Sequence, residues 1–239
     1  MTPVEKSEKA DRRYDLIVWD WDGTIMDSTP TIVHCIQQAC RDLGFKEPDD
    51  TLASSVIGLG IQDSLRRAVP WIEPQHFQQL TDRFRYHYLA KDHELDLFVG
   101  IRELLEELKA DQFLLGVATG KSRVGLNRSL NHHQIGHLFH ETRTADESFS
   151  KPHPAMLLEL SDVTQVPTRR MLMIGDTTHD LDMAANAGVD AIAVTYGAHP
   201  PDTLKASPSL AHVDDVAQLS RWLDRKSTRL NSSHIPLSR

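Results

Sequence analysis

The chain has 239 residues, of which 40% are hydrophobic and 25% are charged, a composition typical of a folded globular protein and not of a chain that is disordered throughout. Its 34 acidic residues outnumber its 26 lysines and arginines, and the net charge of -8 argues against nonspecific binding to nucleic acid or to an anionic membrane surface. The only two cysteines are Cys35 and Cys40, so neither a disulfide framework nor a cysteine-based metal site is expected.

The two ends of the chain differ from the rest in composition. Residues 1–13 alternate in charge and lack the apolar run of a secretory signal, and no later stretch reaches the about eighteen apolar residues of a membrane span. We therefore predict a cytoplasmic protein with a flexible tail at residues 1–13. Residues 226–239, KSTRLNSSHIPLSR, have no acidic residue and little periodicity. We predict that they are a disordered, non-native tail derived from adapter sequence and that the native C-terminus is missing.

Four short apolar runs predict buried strands. The first, YDLIVWD at residues 14–20, ends in an Asp-x-Asp-Gly pattern. The others follow at residues 113–119, 171–176 and 190–197.

Helical patterns lie between the predicted strands. Ile101, Leu104, Leu105 and Leu108 recur at helical spacing, and an alanine-rich helix is predicted after Asp180. Strands that alternate with helices predict an α/β fold, in which a Rossmann-like parallel sheet is covered by helices on both faces.

A long interval, residues 27–96, contains no convincing strand. It contains several amphipathic helices, one of which has Ile32, Ile36 and Leu43 on a single face. We predict an all-helical insert that forms a separate lid, with residues 14–27 and 96–225 as a discontinuous core and residues 28–95 as the insert.

Polar residues follow the predicted strands at their carboxyl ends, where open parallel sheets bind their ligands. Together they form an acidic cluster with one hydroxyl group and one amine. These residues are Asp20, Asp22, Thr119, Gly120, Asp176 and Asp180, together with Lys151 from the loop before the next helix.

Such a set of groups suits phosphoryl transfer. The reaction needs a nucleophile, a cation, hydrogen-bond donors for phosphate oxygens and a group that protonates the leaving oxygen. Asp20 is the candidate nucleophile and Asp22 its proton-transfer partner, while Mg²⁺ would join the phosphate to the acidic cluster. Thr119, the amides after Gly120 and Lys151 are the candidate donors to phosphate oxygens.

The spacing of Asp176 and Asp180 suggests a metal site. At i and i+4, both carboxylates are predicted on one face of a helix start, where negative charge is favoured. This pair would suit a hard divalent ion.

Four motifs together resemble the phosphatases of the haloacid dehalogenase superfamily. They are DWDGTIMDS at residues 20–28, Thr119 in VATGKS, Lys151 in KPHP, and GDTTHD at residues 175–180. The resemblance implies that Asp20 is the nucleophile and Asp22 the acid/base. It also implies that Mg²⁺ is held by the Asp20 carboxylate, the Asp22 backbone carbonyl and Asp176, with Asp180 in support. The helical insert is similar to the C1 cap of subfamily IA members of the phosphoglycolate phosphatase type.

Several functions remain open at this level. We expect an enzyme that hydrolyses a small phosphorylated metabolite, with phosphoglycolate as the leading substrate. A phosphosugar mutase of the β-phosphoglucomutase type would use the same core. A receiver-like signalling domain also gathers acidic groups, a Thr and a Lys, but it lacks a long helical insert, and a noncatalytic phosphate-binding protein is the remaining alternative. The oligomeric state is open.

Two features of the insert also allow two interpretations each. Gly58-Leu59-Gly60 is either a substrate-facing loop or the turn that enters a helix. Arg66 and Arg67 are either ligands for a substrate carboxylate or part of a solvated helix face, and the solvated face is favoured.

Overall fold

The computed structural model describes residues 12–227. Within that range the chain forms one parallel sheet in the order β3-β2-β1-β4-β5-β6, the strand order of the Rossmann fold. The strands are β1 (Leu16–Trp19), β2 (Leu114–Thr119), β3 (Glu141–Thr144), β4 (Met171–Gly175), β5 (Asp190–Val194) and β6 (Ala211–Val213). The predicted fold class is confirmed.

The helices alternate with the strands after residue 100. They are α1 (Thr29–Asp42), α2 (Asp50–Ser54), α3 (Ile61–Ala68), α4 (Phe77–Lys91), α5 (Ile101–Ala110), α6 (Arg123–His132), α7 (Ala155–Thr164), α8 (Thr178–Ala187), α9 (Pro201–Leu204) and α10 (Val216–Ser227).

The period of two along each strand sends neighbouring side chains to opposite faces of the sheet. In β1, Ile17 and Trp19 pack into a hydrophobic cluster with α5, α6 and α10, whereas Leu16 and Val18 pack into a second cluster with α7 and α8. Because both faces are covered, the two strands at the centre of the sheet, β1 and β4, contain only apolar residues and glycine, and this is why their sequences read as continuous apolar runs.

The four predicted strands are present, and the two strands that the prediction missed are the edges of the sheet. β3, with the sequence ETRT, is half-buried over most of its length, and β6 has only three residues. An edge strand needs no continuous apolar run, since part of its surface faces solvent. The apolar-run criterion therefore could not find these two strands.

The segment between β1 and α5 contains α1 to α4 and no strand in the described structure, and it is called the helical segment below. These helices share a hydrophobic cluster of their own, which includes Ile36 and Cys40 of α1, Leu65 of α3 and Leu80 of α4. The predicted boundaries, 28–95 for the insert and 14–27 with 96–225 for the core, stay a prediction.

Most of the two predicted tails, residues 1–11 and 228–239, lies outside the described residues. At the inner end of the first, Arg12 donates hydrogen bonds to the backbone carbonyls of Asp111 and Gln112. At the other end, α10 continues through residues 226 and 227. Over residues 12–227, no helix combines the length and the apolar character needed to cross a membrane.

Candidate active site

The register of the sheet brings three polar residues to one edge. Trp19 pairs with Val117 of β2 on one side and with Ile174 of β4 on the other. Asp20 directly follows Trp19, and Thr119 and Asp176 follow two residues after its partners. All three side chains are buried. The strand order reverses around β1, so Asp20 lies at the position where open α/β sheets bind ligands.

Three carboxylates form a compact acidic cluster at this edge. Oxygen atoms of Asp20, Asp176 and Asp180 lie within 4.8 Å of one another. The Nζ atom of Lys151 lies 2.6 Å from Oδ1 of Asp20 and 2.6 Å from Oδ1 of Asp180, and the Lys151 side chain is fully buried. The predicted amine is therefore in direct contact with the predicted nucleophile.

Asp176 is fixed by groups that surround its carboxylate. The Thr24 hydroxyl donates to Oδ1 and the Ala198 amide donates to Oδ2, each over 2.7 Å. A Cβ atom at Gly23 would lie 2.2 Å from Oδ2, and one at Gly197 would lie 2.3 Å from it. Both neighbours must be glycine for the carboxylate to occupy this position.

Asp180 is placed by a capping box at the start of α8. The Thr177 side chain is the N-cap, and its amide and hydroxyl groups donate to Oδ2 of Asp180 over 3.1 and 2.7 Å. The prediction that Asp176 and Asp180 share one helix face was wrong, because Asp176 precedes the N-cap and lies outside the helix. The two carboxylates meet because the chain turns between β4 and α8.

Asp22 lies in a different environment from Asp20. Its carboxylate accepts a hydrogen bond of 2.7 Å from the Ser28 hydroxyl and lies 3.0 and 3.1 Å from Nζ of Lys121. Lys121 also donates to the Tyr88 hydroxyl of α4 over 2.6 Å. The Asp22 carboxylate is therefore held by the start of α1 and by the turn after β2, and α4 binds the same lysine.

The turn after β2 lies in close contact with the loop before α3. The Lys121 amide donates to the Thr119 hydroxyl oxygen over 3.2 Å, which leaves the hydroxyl proton available to a ligand. A Cβ atom at Gly120 would lie 2.3 Å from the carbonyl oxygen of Leu59 and 2.6 Å from that of Gly58. Glycine at position 120 is thus required for this close contact of two backbones.

The Gly58-Leu59-Gly60 loop is the turn that enters α3, and its first residue also lies close to the acidic cluster. Gly60 is the N-cap of α3, and Gly58, with a φ of +91°, faces the active-site edge. A Cβ atom at Gly58 would lie 3.3 Å from the Thr177 hydroxyl and 3.8 Å from Oδ2 of Asp20. Arg66 and Arg67 are both exposed, as expected for a solvated helix face.

Burial and mutual repulsion shift the pKa values of the acidic cluster. Burial, reinforced by the charge of Asp180, raises the pKa of Asp20 well above its usual range and that of Asp176 to about 7. Burial alone would lower the pKa of Lys151, but the adjacent carboxylates of Asp180 and Asp20 raise it above its ordinary value. One lysine does not neutralise three carboxylates.

The donor set fits a divalent metal ion. Oδ2 of Asp20 is buried and has no hydrogen-bond partner among the described residues. Carboxylate oxygens are the ligands that hard divalent cations prefer, and such a cation would offset the excess negative charge of the cluster.

Sequence reasoning did not single out several residues of this region. Lys121 is part of the quoted motif VATGKS, so its position two residues after Thr119 was a usable signal. Tyr88 had no local signal. His179 and His199 both donate to the carbonyl oxygen of Ser55, which joins α8 and the chain after β5 to the end of α2.

A cavity of about 370 Å³ lies beside Asp22 and Lys121, between the helical segment and the turn after β2. Side chains of α1, α3, α4 and α6 line it together with the Gly58-Leu59-Gly60 loop.

Comparison with known proteins agrees with this architecture. Residues 17–194 match the family model of haloacid dehalogenase-like hydrolases. A phosphoglycolate phosphatase of Aliivibrio fischeri is 31% identical over 191 residues, which cover 76% of this chain and 84% of that protein. The crystal structure of a predicted phosphoglycolate phosphatase from Haemophilus somnus has a TM-score of 0.81 and 26% identity, and the match covers 89% of this chain and 99% of that one. A β-phosphoglucomutase from Clostridium difficile shares the fold, with a TM-score of 0.77, 21% identity, and coverage of 90% and 97%.

The fold and the acidic strand ends define an α/β protein with a Rossmann-like core and an acidic site at the carboxyl ends of its strands. The chain belongs to the haloacid dehalogenase-like hydrolase family. The relatives' names confirm the predicted enzyme class, a phosphatase of this family.

Proposed function

We propose that this protein hydrolyses small phosphate monoesters with the help of Mg²⁺ and through a phosphoryl-aspartate at Asp20. One observation carries the proposal: the Asp20 carboxylate is buried at the switch point of the sheet, with Oδ1 paired to Lys151 and Oδ2 without a hydrogen-bond partner in the described structure. A nucleophile needs one such available oxygen that faces the substrate.

The reaction has two steps that share the same groups. In the first, an Asp20 oxygen bonds to phosphorus while the bond from phosphorus to the ester oxygen breaks, and Asp22 gives that oxygen a proton. In the second, a water oxygen bonds to phosphorus while the bond from phosphorus to the Asp20 oxygen breaks, and Asp22 takes the water proton, which releases inorganic phosphate and restores the Asp20 carboxylate.

The remaining groups hold the phosphate and the metal. The Thr119 hydroxyl, the amides around Gly120 and the Lys151 ammonium group donate to phosphate oxygens. The Asp20 and Asp176 carboxylates and the Asp22 carbonyl, with Asp180 in support, would hold Mg²⁺, which would offset the negative charge of the phosphate. Ser28 and Lys121 orient the Asp22 carboxylate.

The relatives suggest the first substrate to test, since one of the proteins compared above is named a phosphoglycolate phosphatase and another a predicted one. The same proposal includes a cytoplasmic location and a small phosphorylated metabolite as the substrate.

A phosphosugar mutase, the alternative that the sequence leaves open, stays a prediction. Product analysis distinguishes a mutase from a phosphatase, because a mutase returns the phosphoryl group to its substrate.

The nucleophile is tested with Asp20→Asn. We expect the purified protein to release phosphate from p-nitrophenyl phosphate with Mg²⁺ and to lose this activity in EDTA. Asp20→Asn should lower kcat by at least about a thousandfold, since an amide cannot attack phosphorus. Asp162→Asn, on the exposed face of α7, is the matched control and should keep full activity. Wild-type activity in Asp20→Asn would reject the assignment.

The proton-transfer role is tested with Asp22→Asn. We expect kcat to fall by about a hundredfold to ten-thousandfold, the usual contribution of a positioned acid or base. Mg²⁺ affinity, measured by calorimetric titration, should change little, because the proposed ligand at this position is the backbone carbonyl. Loss of all Mg²⁺ binding would contradict that role.

A further inference from the structure

The cavity beside Asp22 lies where the leaving group of the substrate must lie. Asp22, Gly120 and Lys121 line its inner end. If Asp22 protonates the leaving oxygen, as proposed above, the rest of the leaving group extends from Asp22 into this cavity. The lining of the cavity therefore reports which alcohol the enzyme releases.

The cavity is larger than a glycolate group. Its volume is about 370 Å³. The carbon and oxygen atoms of glycolate, if each takes about the volume share of one water, fill only on the order of 150 Å³. A bound phosphoglycolate would leave more than half of the cavity to water or to nothing.

Most of the wall is apolar. The side chains of Ile36, Leu65, Ile57 and Leu59 face the cavity and are almost fully buried, and Phe84 of α4 adds an aromatic ring. Two exposed apolar residues also line the cavity: Leu89 of α4 is 50% exposed and Val124 of α6 is 72% exposed. An apolar wall favours binding only of a ligand that covers its surface and so removes it from water.

The basic side chains of the lining already have acidic partners. Lys121 lies 3.0 Å from Asp22, and Nε of Arg128 lies 2.5 Å from Asp92. Arg85, exposed on the rim, lies 3.9 Å from Asp82. The Arg85 pair is exposed to solvent and weak, whereas Lys121 and Arg128 are each in close contact with a carboxylate. A substrate carboxylate within the apolar part of the cavity would therefore meet no unpaired cation among the described lining residues.

We propose that the preferred substrate is a phosphate monoester of an apolar alcohol larger than glycolate, an alkyl or aryl alcohol without a carboxylate. The inference rests on the function proposed above and narrows its substrate class. The products are the free apolar alcohol and inorganic phosphate, with water as the only co-reactant.

The test is a series in which only the leaving group changes. Ethyl, butyl and hexyl phosphate have the same type of leaving oxygen, so differences in kcat/KM report contacts with the cavity. We expect kcat/KM to rise about fourfold per added methylene while the chain remains in the cavity. Phosphoglycolate should be a poorer substrate than butyl phosphate at the same concentration. The same is expected for the ω-carboxylate of butyl phosphate, that is, butyl phosphate with a carboxylate group on its terminal carbon.

A rim variant ties the preference to this cavity. Val124→Lys places a cation at the opening and should lower kcat/KM for hexyl phosphate by about fivefold while raising it for the ω-carboxylate of butyl phosphate. Val163→Lys in α7, where the valine is 47% exposed and does not line the cavity, is the matched control and should change neither value.

The outcomes separate this inference from the proposed function. If phosphoglycolate is hydrolysed and the alkyl series is flat or poorer, the apolar substrate class is wrong while the phosphatase mechanism stands. A response of Val163→Lys equal to that of Val124→Lys would also overturn it. If neither p-nitrophenyl phosphate nor any other ester releases phosphate, the proposed function fails and the inference fails with it.

Discussion

Asp20 and Asp22 stand two positions apart in the sequence and lie in different surroundings. Asp20 shares a buried cluster with Asp180 and Lys151, whereas Asp22 is bound by Ser28 and Lys121 next to the apolar cavity. Pairs of carboxyl groups in contrasting environments are a common basis for different roles in one reaction. At the residue scale, this contrast supports the division between nucleophile and proton-transfer group.

Tyr88→Phe tests whether α4 helps to hold the proton-transfer group. The change removes the hydroxyl that accepts from Lys121, so Lys121 loses one of its partners beside Asp22. We expect kcat/KM for p-nitrophenyl phosphate to fall by about threefold to tenfold and the free energy of unfolding by about 1 kcal/mol. Enzyme kinetics and urea unfolding are the measurements.

Tyr86→Phe is the matched control, since Tyr86 lies on the same helix and is 64% exposed. It should leave both quantities unchanged. Equal effects from the two variants would indicate that the Tyr88 hydroxyl has no specific part in holding Lys121.

At the scale of elements, the helical segment and the sheet are in direct backbone contact next to the active site. The loop between α2 and α3 lies against the turn between β2 and α6, and the contact depends on the missing side chain of Gly120. His179 and His199 hold the end of α2 to the same region through the Ser55 carbonyl. The helical segment is therefore attached close to the residues proposed to carry out the chemistry.

Gly120→Ala should disrupt this attachment. Its Cβ atom would fall 2.3 and 2.6 Å from two backbone carbonyl oxygens, which cannot move as a flexible side chain can. We expect kcat/KM to fall by about a hundredfold, because displacing the loop also disturbs the phosphate-binding amides. Gly136→Ala is the control: its Cβ atom would make an ordinary contact of 3.6 Å with Leu130, and activity should persist. Unchanged kinetics in Gly120→Ala would argue against this contact.

At the scale of the whole molecule, the acidic cluster links stability to pH and to metal. The pKa of Asp176 is raised to about 7, so the folded, metal-free protein retains a proton that the unfolded chain releases near pH 4. The contribution of Asp176 to the free energy of unfolding therefore decreases as the pH rises from about 4 to about 7. A divalent ion acts in the opposite direction, because it binds the ionised carboxylate.

We expect Mg²⁺ to stabilise the protein more at pH 8 than at pH 6. Below pH 7 a proton must leave Asp176 before the metal binds, so the apparent Mg²⁺ affinity at pH 6 should be about tenfold weaker than at pH 8. Thermal unfolding in EDTA and in a series of Mg²⁺ concentrations measures this. An equal Mg²⁺ effect at both pH values would contradict the linkage.

The sequence by itself determined the central strands, the helical segment after β1 and the residues at the strand ends. These features are local: an apolar run or a helical period is written in neighbouring positions, and a parallel sheet then brings the strand ends to one edge. The grouping of Asp20, Thr119 and Asp176 was predictable for this reason.

Only the tertiary structure decided the edge strands, the turn that separates Asp176 from α8, and the cavity beside Asp22. Lys121 meets Asp22 across 99 positions of the chain, and Tyr88 joins them from a helix that carries no motif. Such contacts depend on how whole elements pack, and no spacing in the sequence encodes that packing. The chemistry of the strand ends is therefore legible from the sequence, whereas the space offered to the leaving group is a property of the folded molecule.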